Sequence, residues 1–405
     1  MSVCPIFIIF AIALLTAQLL SLFFQTRSKS GRFDSLDGLR GYLALGVVIH
    51  HAAIWYFFLR NGWKWQLEDS NIYNNLGHVS VALFFMITGF LFWLKLLKGR
   101  TENIDWLKLY VSRFLRLCPL YFLMLILLAL TIGIVTQFQL KQPPYVLLKN
   151  SIKWLLFFVQ PEPDLNGFQY IYATGGMVWT LTYEWLFYLA LPAMALIVGA
   201  IPPRRLVFAS ILVVVLITHW MHPGLKFLLD FCGGILAACF VHHGLLPKLL
   251  NGFWGSVLAF GLLMAVLICP PTAHQYLSVA LLTIAFTIIA AGNSVFGVLT
   301  WSVSRFLGEF TYSIYLLHGL VLFWIFYFVI GLKRGATLSL GTHWLVISLS
   351  IPALLFGCCL TYRLVELPAM ESSSKITRQL YQYKSRYWDS SRPAHWFNLL
   401  KIKLS

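Results

Sequence analysis

The sequence predicts an all-α protein that crosses a membrane many times, on three observations. Of its 405 residues, 59% are hydrophobic and only 11% charged, with a mean hydropathy of +0.78. A soluble domain is about 45–50% apolar and about 25% charged. The apolar residues also fall in runs of about 20, the length a helix needs to cross roughly 30 Å of hydrocarbon. Finally, most basic residues stand in the links between runs, which encodes topology. The net charge of +16 is therefore a membrane signal and not a nucleic-acid footprint. Cys118, Cys232, Cys239, Cys269, Cys358 and Cys359 lie in apolar runs and Cys4 near the start, with no CxxC. Neither a disulfide framework nor a metal site is indicated.

Taken in order, eleven spans are predicted, near 3–24, 40–59, 79–97, 115–136, 177–198, 206–221, 225–242, 253–269, 277–293, 311–331 and 344–363. The first has no positive n-region and is followed by "TRSKSGR", so it reads as a retained helix and not a cleaved signal. The stretch 152–159, "IKWLLFFV", is too short to cross and reads as a surface helix in the longest link, 137–176. That link is rich in turn residues and is a candidate for lining an acceptor site. With the N-terminus outside, 22 of the 30 basic residues fall on the inner side, including Arg27, Lys29, Arg32 and the block from Lys95 to Arg116. The C-terminus is then cytoplasmic, in a plasma (inner) membrane. The expected organisation is an extra N-terminal helix and basic link (1–31), a membrane domain (32–371) and a basic, aromatic tail (372–405) carrying Tyr387, Trp388 and Trp396. Such a tail suits an anionic inner leaflet. No internal repeat is evident.

Ionisable residues inside spans are costly and mark candidate sites. Here they are His50, His51, Glu184, Asp230 and His318. "SLDGLRGYLALGVVIHH" (35–51) places Asp37 as a helix cap, Arg40 at the inner surface and His50 about 15 Å deeper. His51 points elsewhere and reads as packing. In "VWTLTYEWLFYLALP" Thr180, Glu184 and Tyr188 recur every fourth residue, one polar stripe on a helix. "FLGEFTYSIYLLHGL" puts Thr311, Tyr315 and His318 on one face. "SRFLRLCPLY" sets Arg113 and Arg116 one turn apart, able to clamp phosphates. Asp230 follows Lys226 by four residues, as a local ion pair does.

Together these segments resemble the acyltransferase family three, integral membrane O-acyltransferases of surface polysaccharides and similar acceptors. "FFMITGFL" (84–91) and "RLVELPAM" (363–370, with Glu366) extend the match, and six pieces occur in the family's order. The resemblance implies a ten-helix bundle, here with one helix added at the N-terminus. It implies an acyl-CoA donor entering from the cytosol and a hydroxyl acceptor often presented outside. It marks Arg40 and His50 as essential and Arg113 and Arg116 as donor-binding. The expected scheme has His50, Arg40 and Glu184 in catalysis and Arg113, Arg116 and Arg40 on the phosphates. Thr180, Tyr188, His318 and Tyr315 stand on substrate, and Asp37 and Glu366 are structural. The acyl group is expected to be acetyl, from acetyl-CoA, and the acceptor a carbohydrate, free or lipid-linked, with no metal and no nucleic acid. A transporter or flippase for a lipid-linked saccharide is the alternative that midplane polar groups also allow.

Overall fold

The computed structural model describes residues 1–24, 33–67, 70–156, 163–221, 224–269 and 275–386. The basic link with Arg27, Lys29 and Arg32, and the tail residues Tyr387, Trp388 and Trp396, lie outside the described residues.

The long helices are α1 (Cys4–Phe23), α2 (Asp34–Phe58), α3 (Asn71–Lys98), α4 (Trp106–Val135), α7 (Trp179–Ile197), α8 (Arg204–Met221), α9 (Leu225–His242), α10 (Phe253–Ile268), α11 (Tyr276–Ala290), α13 (Thr311–Trp324), α15 (Leu340–Thr361) and α16 (Leu367–Lys384). Short helices α5 (Pro144–Leu155), α6 (Tyr170–Thr174), α12 (Ser302–Glu309) and α14 (Leu332–Thr337) fill the links. Among the described residues there is no strand, only an isolated bridge between Leu165 and Phe168.

Helices occupy all eleven predicted segments. Seven are long and apolar enough to cross a membrane: α1 to α4, α7, α13 with its π turn Ile325–Val329, and α15 running into α16. The others, α8 to α11, are 15 to 18 residues long. The surface helix in the long link begins earlier than expected, at Pro144, because Pro143 and Pro144 suit a helix start and the run ends at Leu155. Two features were not anticipated. The span predicted at 311–331 begins as α13 at Thr311, but a separate short helix, α12, precedes it, with the break at Phe310. The tail begins as a helix, since a π turn at Tyr362–Glu366 carries α15 on into α16, which packs along α4.

α2 and α3 lie at the centre and run antiparallel, with Gly46 against Ser80 and His50 against Gly77. α1 lays Ile6, Ile9, Ala13, Ala17 and Leu20 on α12 and α15, and exposes its other face. Helices in lipid gain little from apolar contact alone and associate through close backbone packing. That is visible where α3 meets α9: a Cβ on Gly234 would strike the Met86 carbonyl, and one on Gly89 the Phe231 carbonyl. Gly234→Val should therefore lower the melting temperature of the detergent-purified protein by several degrees, overpacking costing about 1–3 kcal/mol. Gly261→Val, where a Cβ meets nothing within 4 Å, should leave it unchanged.

Candidate active site

Arg40 enters from α2. Its Nη1 stands 2.6 Å from Asp37 Oδ1. Asp37 does not cap the helix as the sequence led us to expect: α2 starts a turn earlier, with Phe33 at the N-cap. Inside the first turn the carboxylate still complements the helix dipole while it orients Arg40.

Arg40, Arg113 and Arg116 share one cavity of about 330 Å³ with Thr180, Glu184, Tyr188, Thr311 and Tyr315. The residues come from α2, α4, α7 and α13, each arriving on one face through its three- or four-residue spacing. Phe84, Phe85 and Leu91 of α3 supply apolar wall. The Tyr188 hydroxyl donates to Glu184. Arg113 lies 5.3 Å over the Phe92 ring, and Arg116 Nη1 reaches Met370 Sδ of α16 at 3.2 Å. Three guanidiniums face Glu184 inside low-dielectric walls, a setting that favours a multivalent anion. Thr180 and Tyr188, expected on the acceptor, stand instead with the arginines.

The top of this cavity is apolar. Phe84 and Tyr315 close it, and pack with Val47 and Met177. The Tyr315 hydroxyl lies 2.7 Å from Thr180 Oγ1 and donates to the Met177 carbonyl at 3.2 Å. One turn beyond Val47 and Tyr315 come His51 and His318. His51 Nδ1 and His318 Nε2 are 3.0 Å apart, and both rings are buried. The Ile314 carbonyl, 3.0 Å from His318 Nδ1, can only accept. In the neutral pair His318 therefore donates from Nδ1 and accepts at Nε2 from His51. His51 Nδ1 also lies 3.1 Å from the Val47 carbonyl, and the Nε2 edge of its ring faces Gly175.

His50 does not line the cavity and makes no hydrogen bond to the pair, although its ring stands edge-on to His51 with centroids 5.0 Å apart. Its ring lies against Gly77, with Nδ1 2.9 Å from the Tyr73 carbonyl. The geometry thus moves the reading from His50 to His51. A helix turns about 100° per residue, so the eleven residues from Arg40 to His51 make three turns and return within about 20° of the same face. The ten residues to His50 leave it about 80° away. That arithmetic was the signal in the sequence. His318 serves His51 and not His50. The Glu366 carboxylate accepts from Ser313, which accepts from Thr361 at 3.1 Å, tying α13 to α15.

On the other side of the histidines the long link folds back. α6 packs on α13 at Gly319, and Gly175 and Gly176 follow in left-handed conformation with φ of 68° and 70°. A second cavity of about 340 Å³ opens there between Trp55, Phe58, Trp63, Phe168, Tyr172 and Tyr327. Trp65 bridges it to the site, its ring 5.7 Å from Trp55 and 6.4 Å from His51. Sequence reasoning gave no warning of this aromatic box, because its members are scattered among the chain's many apolar aromatics. Among the described residues no cluster of His, Cys, Asp and Glu is arranged to hold a metal ion.

Fold and site define an integral membrane protein with a cationic cavity inside the bundle and a buried histidine pair above it. The chain belongs to the acyltransferase family three, whose profile, described as an acyltransferase domain, matches residues 33–363. Nodulation protein 10 of Rhizobium leguminosarum bv. viciae is 27% identical over 177 residues, covering 41% of this chain and 45% of that protein. The acyltransferase MdmB of Streptomyces mycarofaciens is 26% identical over 335 residues, 72% of this chain and 79% of the relative. No solved structure matches.

Gly175→Ala should lower acyl transfer at least tenfold, because a Cβ would crowd His51 as well as strain the turn. Gly292→Ala carries the strain alone, with φ of 117° and open space around it, and should lower stability with little loss of turnover.

Proposed function

We propose that the protein transfers an acetyl group from acetyl-CoA to a hydroxyl of a cell-surface or lipid-linked carbohydrate, across the plasma membrane. The arginine end of the bundle then faces the cytosol, with the N-terminus outside and the C-terminus inside. The observation that carries this reading is the stack along one face of α2: Arg40 in a three-guanidinium cavity, Val47 one turn short of the histidine pair, and His51 above.

In this scheme Arg113, Arg116 and Arg40 hold the diphosphate by charge-assisted hydrogen bonds. Glu184, Tyr188 and Thr180, in the same cavity, orient the amides of the pantetheine arm. The arm extends toward the histidines once Phe84 and Tyr315 part. Neutral His51 Nε2 takes the proton from the acceptor hydroxyl as its oxygen attacks the thioester carbonyl. The tetrahedral intermediate collapses, the C–S bond breaks, and the departing sulfur takes the proton back from His51. The products are an O-acetyl ester and free coenzyme A. His318 positions His51 and fixes its tautomer. On the far side the aromatic box suits the acceptor, since sugar rings stack their C–H faces on Trp and Tyr.

General-base removal typically costs 10²–10⁴ in rate, so His51→Ala should lose at least that much turnover, and His51→Asn, which keeps a donor toward His318 but no base, should lose about as much. His50→Ala should lose less than about tenfold; the reverse ranking would return the role to His50. Purified protein should bind coenzyme A, and Arg113→Ala/Arg116→Ala should not. Mass spectrometry of surface glycans with and without the protein would name acyl group and acceptor; glycans that are moved but never acylated would instead fit a flippase.

A further inference from the structure

A third cavity, of about 320 Å³, lies at the basic end, where α3 finishes and α4 begins. Its cations are Lys95 and Lys98 of α3 and Lys108 of α4. It adjoins the arginine cavity along both helices. Phe92 and Arg113 line the first, and Lys95 and Ser112 line the second. Lys95 lies within electrostatic range of both Arg113 and Lys108. The lysine cavity therefore sits on the exit side of the arginines, away from the histidines. A donor whose diphosphate is held by the arginines and whose thioester points to His51 must send its nucleotide end this way.

The cavity also contains Glu102 and Asp105. Asp105 is committed elsewhere: its Oδ1 accepts from the Lys108 amide at 2.9 Å, capping α4, and from the Tyr381 hydroxyl at 2.8 Å. The lining still sets three ammonium groups against two carboxylates, a net positive charge next to Arg113, and such a balance suits an anionic phosphate.

We infer that this lysine cavity binds the 3′-phosphate of the donor's adenosine, so that the protein distinguishes a thioester carrier with a nucleoside 3′-phosphate from carriers that lack it. The inference rests on the coenzyme A reading above. Its test is chosen to fail separately from that reading.

The probes are coenzyme A and dephospho-coenzyme A, which differ only in the 3′-phosphate. Binding is measured on the full chain in neutral detergent without anionic lipid. Wild type should bind coenzyme A about tenfold more tightly or better, with the preference shrinking as salt rises. Lys95→Gln/Lys98→Gln/Lys108→Gln should bind both compounds like wild type binds dephospho-coenzyme A. That retained binding also shows the variant is folded. Lys98→Gln alone should give an intermediate preference. Equal affinities in wild type would overturn the inference while leaving the coenzyme reading intact, and the lysines would then only face lipid headgroups. A triple variant that keeps the full preference would place the 3′-phosphate elsewhere. Wild type that binds neither compound would remove the coenzyme reading and this inference together.

Discussion

In hydrocarbon a polar side chain must find its partner within the protein. The hydrogen bond between His51 and His318 meets that requirement at the heart of the bundle. Most of the site's geometry depends on it. The bond joins α2 to α13 and so fixes which face of each helix looks inward. Arg40 and Val47 follow on α2, and Tyr315 follows on α13, each at helical spacing from its histidine. The bond also leaves the two imidazoles with one consistent tautomer, because the Ile314 carbonyl dictates where the chain of donors begins. Toward its start α13 is held again, by Ser313 on Glu366. A helix pinned at two levels keeps Tyr315 where it closes the arginine cavity.

The break between α12 and α13 serves the same arrangement. A Cβ on Gly308 would strike the Asp37 carbonyl, so α12 approaches α2 at backbone distance. The turn at Phe310 then redirects the chain, letting α13 rise beside α2 with its polar face on the cavity. The Asp37–Arg40 pair lies beside this crossing, and the backbone contact that sets the helix spacing also places the first guanidinium.

Much of this was legible in the sequence. Spans are readable because lipid demands long apolar runs, and cavity residues because Arg, Glu and Tyr are rare enough inside such runs to stand out. Arg113, Arg116, Glu184 and Tyr188 stood out in this way, and the structure lines one cavity with them and with Thr180. What was not legible depends on phase or on distance. His50 and His51 differ by a single residue, and only the count of turns from Arg40 separates them. The sides on which Thr180 and Tyr188 act depend on how deep α7 sits relative to α2. The aromatic box has no local pattern, since Trp, Phe and Tyr in an apolar chain read equally well as core or interface. α16 was hidden because its composition is that of a soluble tail, and only its packing on α4, with Met370 against Arg116, shows it to be part of the bundle.

Two cavities separated by a thin apolar layer have a chemical consequence. A thioester is prone to hydrolysis, and a continuous water-filled channel past His51 would offer water as a competing acceptor and a leak for protons. Val47, Phe84, Met177 and Tyr315 pack together as apolar groups one turn before the histidines, where such a channel would have to run. Tyr315 belongs to both sides of that layer: its ring seals the cavity, while its hydroxyl is held by Thr180 and the Met177 carbonyl. On the donor reading proposed above, an arm rising between Phe84 and Tyr315 would meet Thr180 and compete for that hydroxyl's partners, so that displacing the ring would exchange one set of hydrogen bonds for another.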